Sequence, residues 1–328
     1  MSNIFTNDDI NFSLYLRETD AKSKLFKVSD FLPDLEEMLE AKNKVKRYYL
    51  PWEKTQGNFD FRPGEVSIWA GQNGHGKSLV TAQIALSLVG QGQRVCMASF
   101  ELPVRGQIKR LARNYSGTNP FDDFAIETAD GKETARKVFK QFSGFCSDKL
   151  WLYDHRGSIQ HELVIGMVRY AAKELNVNHI FVDNLAKCIK NEDDYNAQKE
   201  FIDEMMAIAS MYPTHIHVVH HLKKPSKETD APDKSDVKGS GSIVDQPDNL
   251  FLVWRNKKKE DAQKAKVSTF DAEPDAVLFC RKQRNYEGST DGEPTIQLWF
   301  DRESAQYRGQ PGDGPMMFEN YPHRPTDF

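Results

Sequence analysis

The 328 residues carry 44 Lys and Arg against 48 Asp and Glu, a formal net charge of −4 that excludes a uniformly basic nucleic-acid coat and leaves any nucleic-acid contact to local clusters. Four scattered cysteines, Cys96, Cys146, Cys188 and Cys280, form neither a Cys-x-x-Cys pair nor a zinc spacing with histidine, so they read as small core residues of a reducing compartment. No run approaches eighteen apolar residues, and residues 1–12 are polar and acidic rather than leader-like, so a cytoplasmic protein without a membrane partner is expected.

In chain order, residues 1–50 are a charged prelude. Their best element is a helix over 34–49, acidic at its start (Asp34, Glu36, Glu37) and basic at its end (Lys42, Lys44, Lys46, Arg47), an order that suits the helix dipole. Polar on most faces, this linker helix has no core of its own and is expected to pack elsewhere, for example on a neighbouring subunit. From 51 to 307 short β-rich runs alternate with helical patterns, the strands falling at 66–70, 94–99, 149–153, 179–183 and 215–220. That alternation predicts an α/β domain with a mostly parallel central sheet. The runs at 249–254, 276–281 and 295–300 follow without helical intervals and read as a C-terminal β-hairpin extension. Residues 308–328, rich in Gly and Pro, read as a flexible tail.

The segment Gly71, Gln72, Asn73, Gly74, His75, Gly76, Lys77, Ser78 is a complete Walker A loop. It follows an apolar strand (Val66, Ile68, Trp69, Ala70) and opens a helix whose Leu79, Val80, Ala82, Ile84, Ala85, Leu86 and Leu88 recur at helical spacing. Successive backbone N–H groups there can turn inward around a β-phosphate at the positive end of a helix. Lys77 is then the cation for the β- and γ-phosphates, and the Ser78 hydroxyl a ligand for Mg²⁺. ATP, or another nucleoside triphosphate, with Mg²⁺ is the expected ligand pair.

Hydrolysis needs a metal-side acid and a group that orients water. The apolar strand 179–183 ends in Asp183, which delivers a carboxylate to the sheet edge that carries the loop. The strand 94–99 runs on into Phe100 and Glu101, placing a second acid at that edge to polarise water. Without the loop, these two would read as a turn cap and a solvent-facing acid.

The loop, the strand end Ser99-Phe100-Glu101, the strand end Val182-Asp183-Asn184, His220-His221-Leu222-Lys223, Lys238-Gly239-Ser240-Gly241-Ser242 and Lys282-Gln283-Arg284-Asn285 occur in an order and spacing that resembles hexameric replicative helicases of the DnaB type. The likeness is greatest to the helicase half of phage primase-helicases and to the mitochondrial helicase Twinkle, and it covers about residues 61–307. It implies a RecA-like ATPase core with nucleotide bound between subunits of a ring, most often a hexamer, on single-stranded DNA. Glu101 would activate water, His221 would contact the γ-phosphate, and Lys282 and Arg284 would reach a neighbour's nucleotide. Arg255 and Phe300 match positions that hold the adenine base. The resemblance also implies 5′ to 3′ movement at a replication fork, a phage-encoded protein, and partners such as a separate primase, a polymerase or a single-strand-binding protein.

For DNA the candidate loop is 222–242, where Lys223, Lys224, Lys227, Lys234 and Lys238 alternate with Gly, Ser and acids and could follow a phosphate backbone without reading bases. A solvated surface loop has the same composition. The cluster of Arg255, Lys257, Lys258, Lys259, Lys264 and Lys266 reads as an exposed hairpin tip. Two other functions share the Walker elements: a RadA-like recombination ATPase, whose usual zinc finger and Lys-Asn-Arg-Phe-Gly motif are missing here, and a nucleotide-gated assembly factor, which would have no use for Glu101, Lys282 and Arg284.

Overall fold

The computed structural model describes residues 4–6, 10–14, 47–155, 157–189, 194–224, 229–285 and 294–320. Its strands are β1 (Ile4–Phe5), β2 (Tyr48–Tyr49), β3 (Asp60–Phe61), β4 (Val66–Gly71), β5 (Val95–Ser99), β6 (Leu150–Tyr153), β7 (His179–Asp183), β8 (His215–His221), β9 (Asn249–Arg255), β10 (Ala276–Gln283), β11 (Thr295–Asp301) and β12 (Gln306–Arg308). The helices are α1 (Lys77–Gly90), α2 (Val104–Ser116), α3 (Asp123–Glu127), α4 (Ala129–Cys146), α5 (His161–Lys173), α6 (Leu185–Cys188), α7 (Tyr195–Met211), α8 (Ser242–Asp245) and α9 (Lys257–Lys264).

All strands but β2 and β3 form one sheet of ten in the order β1-β6-β5-β7-β8-β4-β9-β10-β11-β12. Pairing is parallel from β1 through β9 and antiparallel from β9 through β12. The near-continuous apolar runs are what a sheet covered on both faces requires. Along β4, Val66, Ile68 and Ala70 pack with Val164 of α5 and Phe201 and Met205 of α7, whereas Trp69 packs with Ile84 and Leu88 of α1. The alternation of the strand therefore assigns one helical layer to each face. The chain is an α/β protein with a mostly parallel central sheet, as its sequence predicts.

Several expectations need correction. β9 is a parallel core strand beside β4, not part of a hairpin extension, which begins only at β10. The basic cluster after Arg255 is helix α9, capped by the Asn256 side chain on the Lys259 amide, not a hairpin tip. Most of the expected helix over 34–49 lies outside the described residues, but Tyr48–Tyr49 are a strand paired with Asp60–Phe61. The prelude also contributes Ile4–Phe5 to the sheet and Ile10 to the core. The tail is docked as far as residue 320: Gln306 bonds the backbone of Met316 in both directions, Tyr115 donates to Glu319, and Phe318 is buried against α1. The last eight residues lie outside the description.

Candidate nucleotide site

Strand register gathers the site. Gly71 pairs with His221, Ser99 with Asp183, and Asp183 with Val219, so the C-terminal ends of β4, β5, β7 and β8 share one edge. An open cleft of about 1040 Å³ lies there, lined by Gln72, Asn73, Gly74, His75, Gly76, Lys77 and Ser78 on one side and by Glu101, Asp183, Asn184 and His221 on the other. The loop backbone is as tight as its glycines imply. A Cβ on Gly71 would lie 2.7 Å from the Val253 carbonyl, and Gly76 caps α1 in the left-handed region at φ 88°.

Lys77 is buried, and its Nζ donates to the carbonyls of Gly71 (2.9 Å) and Gln72 (3.0 Å) and lies 3.3 Å from His221 Nδ1. Burial lowers its pKa, an effect opposed by Asp183 and Glu101. Asp183, also buried, accepts a hydrogen bond from Ser78; burial raises its carboxyl pKa, while the bond from Ser78 pulls it down. His75 accepts the Arg255 amide at its Nδ1 (3.2 Å), and burial, then Lys257 and Lys77, press its pKa to about 4. The imidazole is therefore neutral at physiological pH and packs the loop rather than adding charge.

The other expected residues divide into those the fold brings here and those it does not. Glu101 and His221 line the cleft, as do Lys223, Lys224 and Lys238. Lys223 Nζ bonds the Ser235 carbonyl, and the Lys238 amide bonds the His221 carbonyl, so this basic loop is fastened to the end of β8. Lys234 is exposed in a single turn at Lys234–Asp236, and Lys227 lies outside the described residues. Arg255 touches the loop through Nη1 on the Gly74 carbonyl (3.3 Å). Phe300 reaches it only through Tyr307, whose ring is 5.1 Å away and whose hydroxyl lies against Gly76. Neither Arg255 nor Phe300 is among the residues lining the cleft.

Lys282 and Arg284 are elsewhere. They end β10, which runs antiparallel to β9, so they lie at the start of β4 rather than at its end. Lys282 Nζ donates to the Val244 and Asp245 carbonyls (3.1 and 2.6 Å). Arg284 Nη2 donates to the Asp245 carbonyl (3.2 Å), and its Nη1 is 3.7 Å from Asp248 Oδ1.

Two cleft residues escape sequence reasoning. Asn184 follows Asp183 and is almost wholly buried, its Nδ2 donating to Glu101 Oε1 (2.6 Å) and lying 3.0 Å from His221 Nε2. Arg110 reaches the cleft from α2, where burial lowers its pKa and Asp183 raises it. An arginine in an amphipathic helix carries no signal of its own. Asn184 had one, its place in the Asp183 strand end.

The model of the DnaB-like helicase C-terminal domain family matches residues 53–309. Among solved structures, the ATPase domain of a phage helicase is similar with a TM-score of 0.68 at 15% identity, over 87% of this chain and 99% of that one. A DnaB-like replicative helicase, studied with its interactions with primase, is similar with a TM-score of 0.64 at 16% identity, over 87% of this chain and 67% of that one. At such identities the likeness shows the fold, the RecA-like ATPase fold of these helicases. With its loop, its Asp183 strand end and most of its length matched by the family model, the chain belongs to the DnaB-like helicase C-terminal domain family.

Proposed function

We propose that this protein is an ATP-driven helicase that moves along single-stranded DNA as a homo-oligomeric ring, in the simplest case a hexamer, and separates duplex at a replication fork. The observation that carries the reading is the division of its charged residues. Lys77, Ser78, Asp183, Glu101 and His221 gather at one end of the sheet, while Lys282 and Arg284 sit at the other, about 16 Å away along the six residues of β4. Cations meant for a γ-phosphate are useful at that distance only to another copy's nucleotide.

The residues fit ATP and Mg²⁺. Gly71 and Gly76 leave the loop backbone free to wrap phosphate, α1 presents its N-terminus, and Ser78 with Asp183 is a pair of hard oxygen donors. Mg²⁺ at Ser78 and Asp183 would offset charge on the β- and γ-oxygens. Within the chain, Lys77 holds the phosphates, Glu101 orients water and takes its proton, and His221 meets the γ-phosphate. Arg284 and Lys282 of the adjacent copy stabilise the charge that develops, and Arg255 and Phe300 hold the base. Lys223, Lys224, Lys234 and Lys238, with Lys227, follow the strand backbone. Residues 51–307 are the ATPase unit, 1–50 an N-terminal segment with a linker to the neighbouring copy, and 308–328 a tail.

The finer terms of the reading are a phage-encoded protein in a host cytoplasm, 5′ to 3′ movement, and work beside a primase, polymerase or single-strand-binding protein. ATP hydrolysis measured with and without single-stranded DNA, then unwinding of forks tailed on one strand or the other, tests it. Unwinding only of forks with a free 5′ tail on the tracked strand is expected. DNA-stimulated hydrolysis without unwinding of either fork would instead favour a recombination ATPase.

A further inference from the structure

We propose that Asn184 is a positioning residue, the link through which His221 sets the orientation of the Glu101 carboxylate. The inference rests on Glu101 being the base and His221 the γ-phosphate contact. Asn184 is 1% exposed, and its amide orientation is fixed by its partners. Its Oδ1 accepts the Lys187 amide (3.2 Å) and caps α6, so Nδ2 faces Glu101 Oε1 at 2.6 Å. The reverse orientation would set two acceptors against each other. The same Nδ2 lies 3.0 Å from His221 Nε2, while Lys77 Nζ lies 3.3 Å from Nδ1 on the other side of the ring.

That arrangement makes the imidazole the part that can change. A lysine ammonium and an amide nitrogen are donors only, and a neutral imidazole accepts at one nitrogen, so His221 cannot fully satisfy both neighbours. A phosphate that draws Lys77 away removes one competitor, and His221 can then turn its other nitrogen toward Asn184 or toward the phosphate. Either way the share of Nδ2 left for Glu101 changes, and the carboxylate follows. The basic loop enters the same chain of contacts, because the Lys238 carbonyl bonds His220 Nε2 (2.6 Å) and the Lys238 amide bonds the His221 carbonyl (3.0 Å). A strand engaging that loop thus reaches Glu101 through His221 and Asn184.

Two substitutions separate this role from the helix cap. Asn184→Ser keeps an oxygen for the Lys187 amide but is too short to reach Glu101; Asn184→Asp keeps shape and cap but cannot donate. The full-length protein is assayed for ATP affinity, KM, kcat and the ratio of kcat with and without single-stranded DNA. For both variants, affinity and KM should stay within two-fold of wild type. Their kcat with DNA should fall at least ten-fold, part of the roughly 10²–10⁴-fold that a positioned base contributes, and the DNA-stimulation ratio should approach one. Glu101→Gln, assayed alongside, separates the two ideas: wild-type turnover in it refutes the base and the link together. If Glu101→Gln is inactive while both Asn184 variants keep wild-type kcat and stimulation, or if both lose ATP affinity, Asn184 is not the link.

Discussion

Arg284 and Lys77 belong to opposite ends of the same strand. The Arg284 amide donates to the Asp248 carbonyl, and the Asp248 carboxylate holds the Val66 amide at 2.9 Å, at the first residue of β4. Lys77 instead folds back on Gly71, the last residue of that strand. One chain therefore carries the lysine of one nucleotide site and, at its far end, the arginine suited to another. The fold supplies both halves of an interface, and the predictions below probe each half.

Lys77→Ala should abolish hydrolysis, since the loop loses the ammonium that its own carbonyls hold in place. Glu101→Gln should keep ATP affinity within a few-fold and lose at least 10²-fold in kcat, because an amide cannot take a proton. Equilibrium nucleotide binding and steady-state hydrolysis of the two variants check this. Turnover by Glu101→Gln at the wild-type rate removes Glu101 from the chemistry.

Replacing Lys223 and Lys224 together by Ala should weaken single-stranded DNA of every sequence alike. The slope of log affinity against log salt should become less steep by about 1.4, at about 0.7 for each of the two phosphates no longer neutralised. Lys223 also bonds the Ser235 carbonyl, so basal hydrolysis is the control that the loop still closes on β8. An unchanged salt slope returns these lysines to the solvated surface.

Much of this site was legible because its signals are local. The Walker A residues, the Asp183 strand end and the parallel strands are short apolar runs with a functional terminus, which periodicity detects. What escaped depends on distant partners. Helix α9 has a single apolar residue, Ala262, and is held by its Asn256 cap and by Lys259 on Glu273 and Asp275, so no apolar stripe announces it. The two residues of β1 are too few for a pattern and gain their place only from β6. The tail looked unstructured from its glycines and prolines, yet Phe318 finds a socket on α1 more than two hundred residues earlier.

That docking is testable. Phe318→Ala should destabilise the fold by about 3 kcal/mol, within the range for emptying a buried aromatic site. Gly90→Ala should act in the same direction, since its Cβ would lie 2.5 Å from the Phe318 carbonyl. Urea unfolding of both variants measures it, and a midpoint equal to wild type for each would mean the tail does not dock in solution.

Acid should also weaken the fold in a defined window. His215 is buried between the Arg62 carbonyl (2.7 Å) and Ser67 (2.8 Å), and burial lowers its pKa to about 4; burial also lowers His220 to about 4 and moves His179 and His217 well below the usual value of 6.5. The unfolded chain binds these protons below pH 6.5, while the folded chain resists them until about pH 4. Stability therefore falls as pH drops from 6.5 toward 4, by up to about 1.4 kcal/mol per pH unit for each histidine. Asp183 and Asp248, raised by burial, act in the opposite sense. Urea midpoints at pH 7 and 5.5 should show a fall that His215→Gln, which can keep both hydrogen bonds, makes shallower. A wild-type fall no steeper than that of the variant contradicts the assignment.

The central claim, that one copy's Arg284 completes another copy's site, is tested most directly by mixing two inactive variants. Arg284→Ala should bind ATP yet lose roughly 10³–10⁵-fold in hydrolysis, as for other arginines that reach a γ-phosphate across an interface. In a freshly co-assembled equal mixture of Arg284→Ala and Lys77→Ala, about a quarter of random interfaces join an intact Lys77 to an intact Arg284. Basal hydrolysis is then expected to rise clearly above that of either parent, with assembly checked by size. Activity no greater than the parents' in intact mixed rings, or full activity of Arg284→Ala alone, would contradict the account.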